Sequence, residues 1–207
     1  MASSPIEDEK TQVGSLKVLL KNKRHLSNLL VVLFLWVASA FDYFLINFQL
    51  KYIKGDIYIN TIVSSVSEVI AYIISGAIFG IIGPKITFVS SYVIAIIGSV
   101  FYIIFSGSAE TLVPVMILGS KFGIAAAFNC VWMSNIFFPP EYASTTLGLF
   151  NCFARLSSML APQFAEFAPP VPMVIFCIMA GAAAVLSFLL QTEPSKSSSV
   201  ISHKEAP

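Results

Sequence analysis

Four ionisable side chains fall inside long apolar runs: Asp42, Glu68, Lys121 and Arg155. At a lipid-facing helix centre each would cost about 2.5–3.5 kcal/mol, so each is expected to face a cavity or an opposite charge. Two acids stand against two bases, which leaves structural ion pairing open beside solute binding. Asp42 shares its run with polar Ser39 and Asn47. Helical spacing puts Ser144, Gly148, Asn151 and Arg155 on roughly one face, with Ser158 nearby. That face is small and polar, as a water-filled path requires. Lys121 shares a stripe with Ala125, Phe128 and Trp132, at spacings of four, three and four. A cation beside aromatic rings suits an organic ligand with a charged end. The same stripe also reads as aromatic packing around one snorkelling lysine. The substrate-binding candidates are therefore Arg155, Lys121, Asn151, Phe128, Trp132 and Glu68.

No catalytic constellation can be assembled. The only histidines are His25 and His203, and Cys130, Cys152 and Cys177 lack metal-ligand spacing. The cysteines are expected as small buried packing residues. No Gly-rich phosphate loop with a lysine occurs. The expectation is a non-enzyme with no cofactor and no metal.

The elements that must position these residues follow from composition. Of 207 residues, 57% are apolar and only 11% charged, with mean hydropathy +0.83. A soluble domain carries roughly a quarter charged residues, so the solvent here is lipid. A net charge of +1 argues against nucleic acid as a partner. Crossing a hydrocarbon core takes about 20 apolar helical residues. Six runs qualify, at approximately 29–50, 58–82, 86–106, 111–136, 142–165 and 171–191. In lipid the backbone must satisfy its own hydrogen bonds, so runs of this length are helices. The links are short, which makes successive helices antiparallel; Gly83-Pro84-Lys85 is one of them. The fold class is an all-α membrane protein: a six-helix transmembrane domain over 15–191, flanked by disordered cytoplasmic tails at 1–14 and 192–207. The acidic cluster Glu7, Asp8 and Glu9 disfavours a cleaved signal and a mitochondrial presequence. Gly76 and Gly80, and Gly119 and Gly123, are spaced for close helix packing.

A family likeness emerges from the second half of the chain. Residues 118–166 resemble the tenth and eleventh helices of the organic ion transporters of the major facilitator superfamily. The matching elements are Gly119, Lys121-Phe122, Phe128, Phe138-Pro139, Gly148, Arg155 and Leu160-Ala161-Pro162. Upstream, Gly55-Asp56-Ile57-Tyr58-Ile59-Asn60 followed by Glu68 looks like the seventh-to-eighth helix region. The resemblance covers about residues 15–191, in the family's order. It implies a twelve-helix fold in two six-helix halves, with substrate held between them near mid-membrane. This chain corresponds to the second half. In that family a cation at the position of Arg155 accompanies organic anion substrates. Three gate charges depart from the pattern. The loop expected as Asp-Arg-x-Gly-Arg-Arg reads Gly80-Ile81-Ile82-Gly83-Pro84-Lys85; Asn135 replaces the acid before Phe-Pro, and Ala143 the arginine after it.

The functional expectation is transport of small organic solutes, favouring anions, as one half of a secondary transporter in the plasma membrane. The implied partners are membrane lipid, an organic solute, and a second six-helix unit, either another copy or a complementary half. The alternatives are a non-transporting accessory subunit derived from a transporter, or a fragment of a twelve-helix organic cation or sugar carrier.

Orientation follows from Lys and Arg placement. An even number of spans puts both tails on one side, with Lys10, Lys17, Lys21, Lys23, Arg24, Lys85, Lys196 and Lys204; the other side has Lys51 and Lys54. Both termini are predicted to be cytoplasmic. In sealed cells an external thiol reagent should label a cysteine placed at Gly55 or Ser108, and not one at Lys85 or Ser197. Labelling at Ser197 from outside would reverse the topology.

Overall fold

The computed structural model describes residues 23–52, 57–105 and 113–190. The expected tails at 1–14 and 192–207, and Gly55-Asp56, lie outside the described residues. All regular structure among the described residues is helical. In chain order the helices are α1 (Lys23–Gln49), α2 (Ile57–Ile81), α3 (Pro84–Phe105), α4 (Val113–Met133), α5 (Pro140–Ser158), α6 (Ala161–Ala165) and α7 (Val171–Ser187). Short 3-10 turns at Leu50–Tyr52 and Ser134–Phe137 finish α1 and α4.

Four segments are long and apolar enough to cross a membrane: Leu26–Tyr52, Thr61–Ile81, Pro84–Phe105 and Val113–Phe137. The run expected as one span at 142–165 divides into α5 and α6, joined by a turn at Met159 and Leu160. Pro162 sits in the first turn of α6; it has no N–H to continue the ladder of α5, so a new helix starts around it. The last run also ends earlier than expected, at Ser187. At 1.5 Å per residue its 17 residues cover about 25 Å.

The α2–α3 link shows how little chain a reversal needs. Gly83 has φ +100°, a left-handed conformation open to a residue without Cβ. Pro84, which needs no hydrogen-bond acceptor, then opens α3. The Thr87 hydroxyl donates back to the Gly83 carbonyl at 2.7 Å.

α1 and α4 lie at the centre. Trp36, Phe88, Tyr92, Ile124, Val131, Phe150 and Phe176 are fully buried between α1, α3, α4, α5 and α7. Contacts between α1 and α4 pair Asn47 with Lys121, Tyr43 with Phe128 and Trp36 with Trp132, so the two run antiparallel. α2 runs parallel to α4: Glu68 meets Lys121, and about two turns on Asn129 donates to the Ser75 hydroxyl at 3.0 Å. The outer side of α2 exposes Ile62, Val66, Val69 and Ile73, a surface suited to lipid.

The close-packing glycines are not all those the spacing suggested. A Cβ on Gly98 would stand 2.5 Å from the Ser120 nitrogen, and one on Gly123 would stand 2.7 Å from both Ala95 Cα and Ser91 O. These two glycines let α3 and α4 touch backbone to backbone. Gly119 lies against Gly98 at ordinary van der Waals distance, whereas a Cβ on Gly80 would meet nothing within 4 Å. The Gly76/Gly80 pair therefore makes no close contact within the described residues. Gly98→Ala and Gly123→Ala should each destabilise the protein by about 1–3 kcal/mol through overpacking. Gly80→Ala should leave the thermal midpoint in detergent unchanged or raise it.

Candidate functional site

The polar residues converge where α1, α2 and α4 meet. Glu68 and Tyr72, four residues apart, lie on one face of α2. The Tyr72 hydroxyl donates to Glu68 Oε1 at 2.5 Å, and the Tyr43 hydroxyl of α1 donates to the same oxygen. Lys121 Nζ of α4 stands 3.5 Å from Glu68 Oε2 and donates to Asn47 Oδ1 at 2.6 Å. Lys121 is only 3% exposed, so its long side chain does not reach the membrane surface; its charge is met inside the bundle. Tyr43 stacks on Phe128 at 4.9 Å and 14°, which fixes the ring that reaches Glu68. Beside this polar ring lies a cavity of about 370 Å³, lined also by Phe48, Lys51, Thr61 and Ser65.

Arg155 occupies a second place. It is exposed on α5, on the face with exposed Ser144 and Gly148 and half-buried Asn151. A narrow cleft there is lined by Trp36, Phe128, Trp132, Asn151 and Ser158 beside the arginine. The Asn151 amide donates to the Leu147 carbonyl of its own helix at 3.1 Å. Among the described residues no carboxylate pairs with Arg155. The two places are joined by rings: Phe128 lies 6.4 Å from Trp132, and Trp132 lies 4.7 Å from Trp36.

At the far end of α1, Lys51 and the Tyr52 hydroxyl both donate to Glu166, the latter at 2.6 Å. The hydrogen bond from Lys51, then that from Tyr52, holds the Glu166 carboxyl below its ordinary range. Gln49 donates to the Ala165 carbonyl at 2.8 Å, so α6 is pinned to α1.

These helices, with their charges turned inward or onto one flank, match a known group. The sequence profile of the Major Facilitator Superfamily matches residues 2–162. The chain belongs to that superfamily.

Proteins similar to it include a Caenorhabditis elegans protein named as a transporter, 26% identical over 197 residues, covering 91% of this chain and 40% of the relative. Mouse organic anion transporter 3 is 27% identical over 164 residues, covering 76% of this chain and 30% of the relative. Human organic cation/carnitine transporter 2 is 26% identical over 133 residues, covering 63% and 24%. The chain thus spans less than half the length of these relatives. Membership fits the all-α membrane bundle, and the relatives named here are transporters rather than enzymes.

Of the expected site residues, Lys121 and Glu68 come together, with Phe128 next to them. Asn151, Trp132 and Arg155 share the second cleft. Asp42 departs from expectation, since no opposite charge pairs with it among the described residues: it is fully buried and both carboxyl oxygens are without a hydrogen-bond partner. Among the cysteines, Cys130 is buried as expected, but Cys152 is exposed beside Asn151 on α5. Tyr43, Tyr72 and Asn47 were not singled out as site residues by sequence reasoning. Tyr72 could have been found from its four-residue spacing to Glu68; Tyr43 carries no such signal.

Removing one member of the Lys121–Glu68 pair strands the other in the bundle. Lys121→Met is expected to cost about 3–5 kcal/mol. The double variant Lys121→Met/Glu68→Gln should recover much of that loss. Detergent melting of the single and double variants measures the coupling, and purely additive losses would show that the two charges do not interact.

Proposed function

We propose that this chain forms one wall of a membrane pathway for small organic solutes, with a preference for organic anions. The observation that carries the reading is the polar ring of Tyr43, Asn47, Glu68, Tyr72 and Lys121 opening onto a cavity of about 370 Å³. That volume falls in the range of small-molecule sites, and its lining mixes apolar contacts with a few convergent polar groups. Within the ring Lys121 and Glu68 cancel, so the uncompensated charge on the polar side is that of Arg155. An anionic head would pair with Arg155, and the aromatic chain of Phe128, Trp132 and Trp36 would hold an apolar body. The relatives' names, covering both organic anions and organic cations, support solute transport at the coarser level.

The reading requires a second six-helix unit. Arg155 left in lipid would carry the insertion penalty of about 2.5–3.5 kcal/mol. A unit placed against α5 would cover it and close the pathway, either as a second copy or as a complementary half of the kind the longer relatives have room for. Both termini would then face the cytoplasm at the plasma membrane. An accessory role without transport is favoured by one observation: the α2–α3 turn closes on Gly83-Pro84 with Lys85 as its one cation, where the family places a charged gate.

Uptake of benzoate into vesicles containing the protein decides between them. Transport predicts uptake that Arg155→Ala lowers about tenfold or more, the loss of one charge-assisted contact of about 1.5–3 kcal/mol. Membrane insertion should be unaffected. No benzoate uptake by the assembled wild-type protein favours the accessory role, and an Arg155→Ala variant that fails to assemble marks the arginine as structural.

A further inference from the structure

Asp42 lies in the second half of α1, about two turns before its end, on a face it shares with Leu35, Ser39 and Ile46, all fully or almost fully buried. Neither carboxyl oxygen has a hydrogen-bond partner. The neighbouring polar groups are already engaged. The Ser39 hydroxyl is paired with the Tyr92 hydroxyl of α3 at 2.7 Å, and Tyr92 also lies 3.4 Å from the Leu35 carbonyl.

The titratable groups on the surrounding elements are few. Tyr92 on α3 and Cys177 on α7 are the titratable side chains near Asp42. Cys130 on α4 lies close to Tyr92. On α5, Arg155 is turned to the cleft with Trp36, Ala40 and Phe44, and α6 has no titratable residue. Lys121 and Glu68 are on another side of α1, where Tyr43 and Asn47 engage them. No cation faces the carboxyl among these groups.

An ionised carboxylate without a partner costs several kcal/mol in such a place. A metal cation is no remedy, since hard cations take six or more oxygen ligands and the hydroxyls here are committed to one another. A single proton is enough. It removes the charge, and a neutral carboxylic acid is far cheaper to bury.

We propose that Asp42 is a proton-binding site, held as a neutral carboxylic acid while α1 is packed against α3 and α7, and emptied when that packing opens. In the step the acid O–H bond breaks, the proton passes to water, and the carboxylate remains; nothing is oxidised or reduced. Tyr43 follows Asp42 directly and donates to Glu68, so a movement of α1 that wets Asp42 also shifts the polar ring. Proton occupancy and the geometry of the ring are thereby linked through one helix.

Infrared spectroscopy on the full chain in lipid vesicles tests the resident state. At neutral pH the wild type should show the carbonyl stretch of a protonated carboxylic acid, shifted in heavy water. Asp42→Asn should lack that band, and Glu68→Gln should keep it. A wild-type spectrum without an Asp42-dependent band means that the group is ionised, and the proposal falls. Thermal melting against pH tests release. A packed form that holds one proton more than the opened form is most stable at low pH and loses stability as pH rises, by about tenfold in the packed-to-open ratio per pH unit where the opened form is ionised. The wild-type midpoint should fall relative to Asp42→Asn as pH increases. A gap independent of pH overturns the release step. Should Asp42→Asn fail to assemble, Asp42→Leu serves as the proton-free reference in both measurements.

Discussion

Lys121 is the point through which three helices are tied. It sits on α4, reaches Glu68 on α2 and donates to Asn47 on α1. In water such an ion pair would contribute little, because solvent screens it and the long side chain resists being fixed. Inside an apolar bundle the balance changes. The charges are costly apart, so the helices carrying them are held in the register that brings them together. Tyr43 and Tyr72 then follow as necessities, since each supplies a donor to a carboxylate that has lost its water. The stack of Tyr43 on Phe128 and the amide of Asn129 against α2 extend the same register along α4.

Where lipid sets the rule, the fold was legible in the chain. Long apolar runs fixed α1 to α4 closely, and Gly83-Pro84 marked the turn between α2 and α3. The rule weakens where a run is neither uniformly apolar nor free of proline. The stretch 142–165 mixes Ser, Thr, Asn and Arg with Leu and Phe, so hydropathy reads one span where Pro162 imposes two helices. Glycine spacing was a weaker guide. Gly76/Gly80 and Gly119/Gly123 look alike in sequence, but a glycine is required only where a neighbour's backbone is present, and only Gly123 of these four meets one closely. Gly98, which stands in no such pair, meets one too.

The site was legible in part, and the division has a physical cause. A charge in an apolar run announces itself, so Lys121, Glu68 and Arg155 were visible at once. Which charges pair depends on helix rotation, which sequence does not specify. Tyrosines are silent because they count as apolar in any hydropathy reading and reveal a polar role only when their hydroxyl is placed. Asp42 shows the limit of arguing from charge alone. The expectation that a buried carboxyl needs an opposite charge overlooks a cheaper remedy, which is to bind a proton.

α1 thus presents several different sides to the protein. Toward α3 and α7 it offers Leu35, Ser39, Asp42 and Ile46, a buried face with one carboxyl. Toward α2 and α4 it offers Tyr43 and Asn47, both engaged with the ring. Toward α5 it offers Trp36, Ala40 and Phe44, which line the cleft beside Arg155. The bundle's outer surfaces divide in a corresponding way. α2 turns isoleucine and valine outward, which lipid tolerates, whereas α5 turns Ser144, Gly148 and Arg155 outward, which lipid does not. A hydrocarbon surface against α5 would leave the arginine without partners, so the same energetic rule that buries Lys121 within the chain calls for a polar surface against Arg155 from outside it.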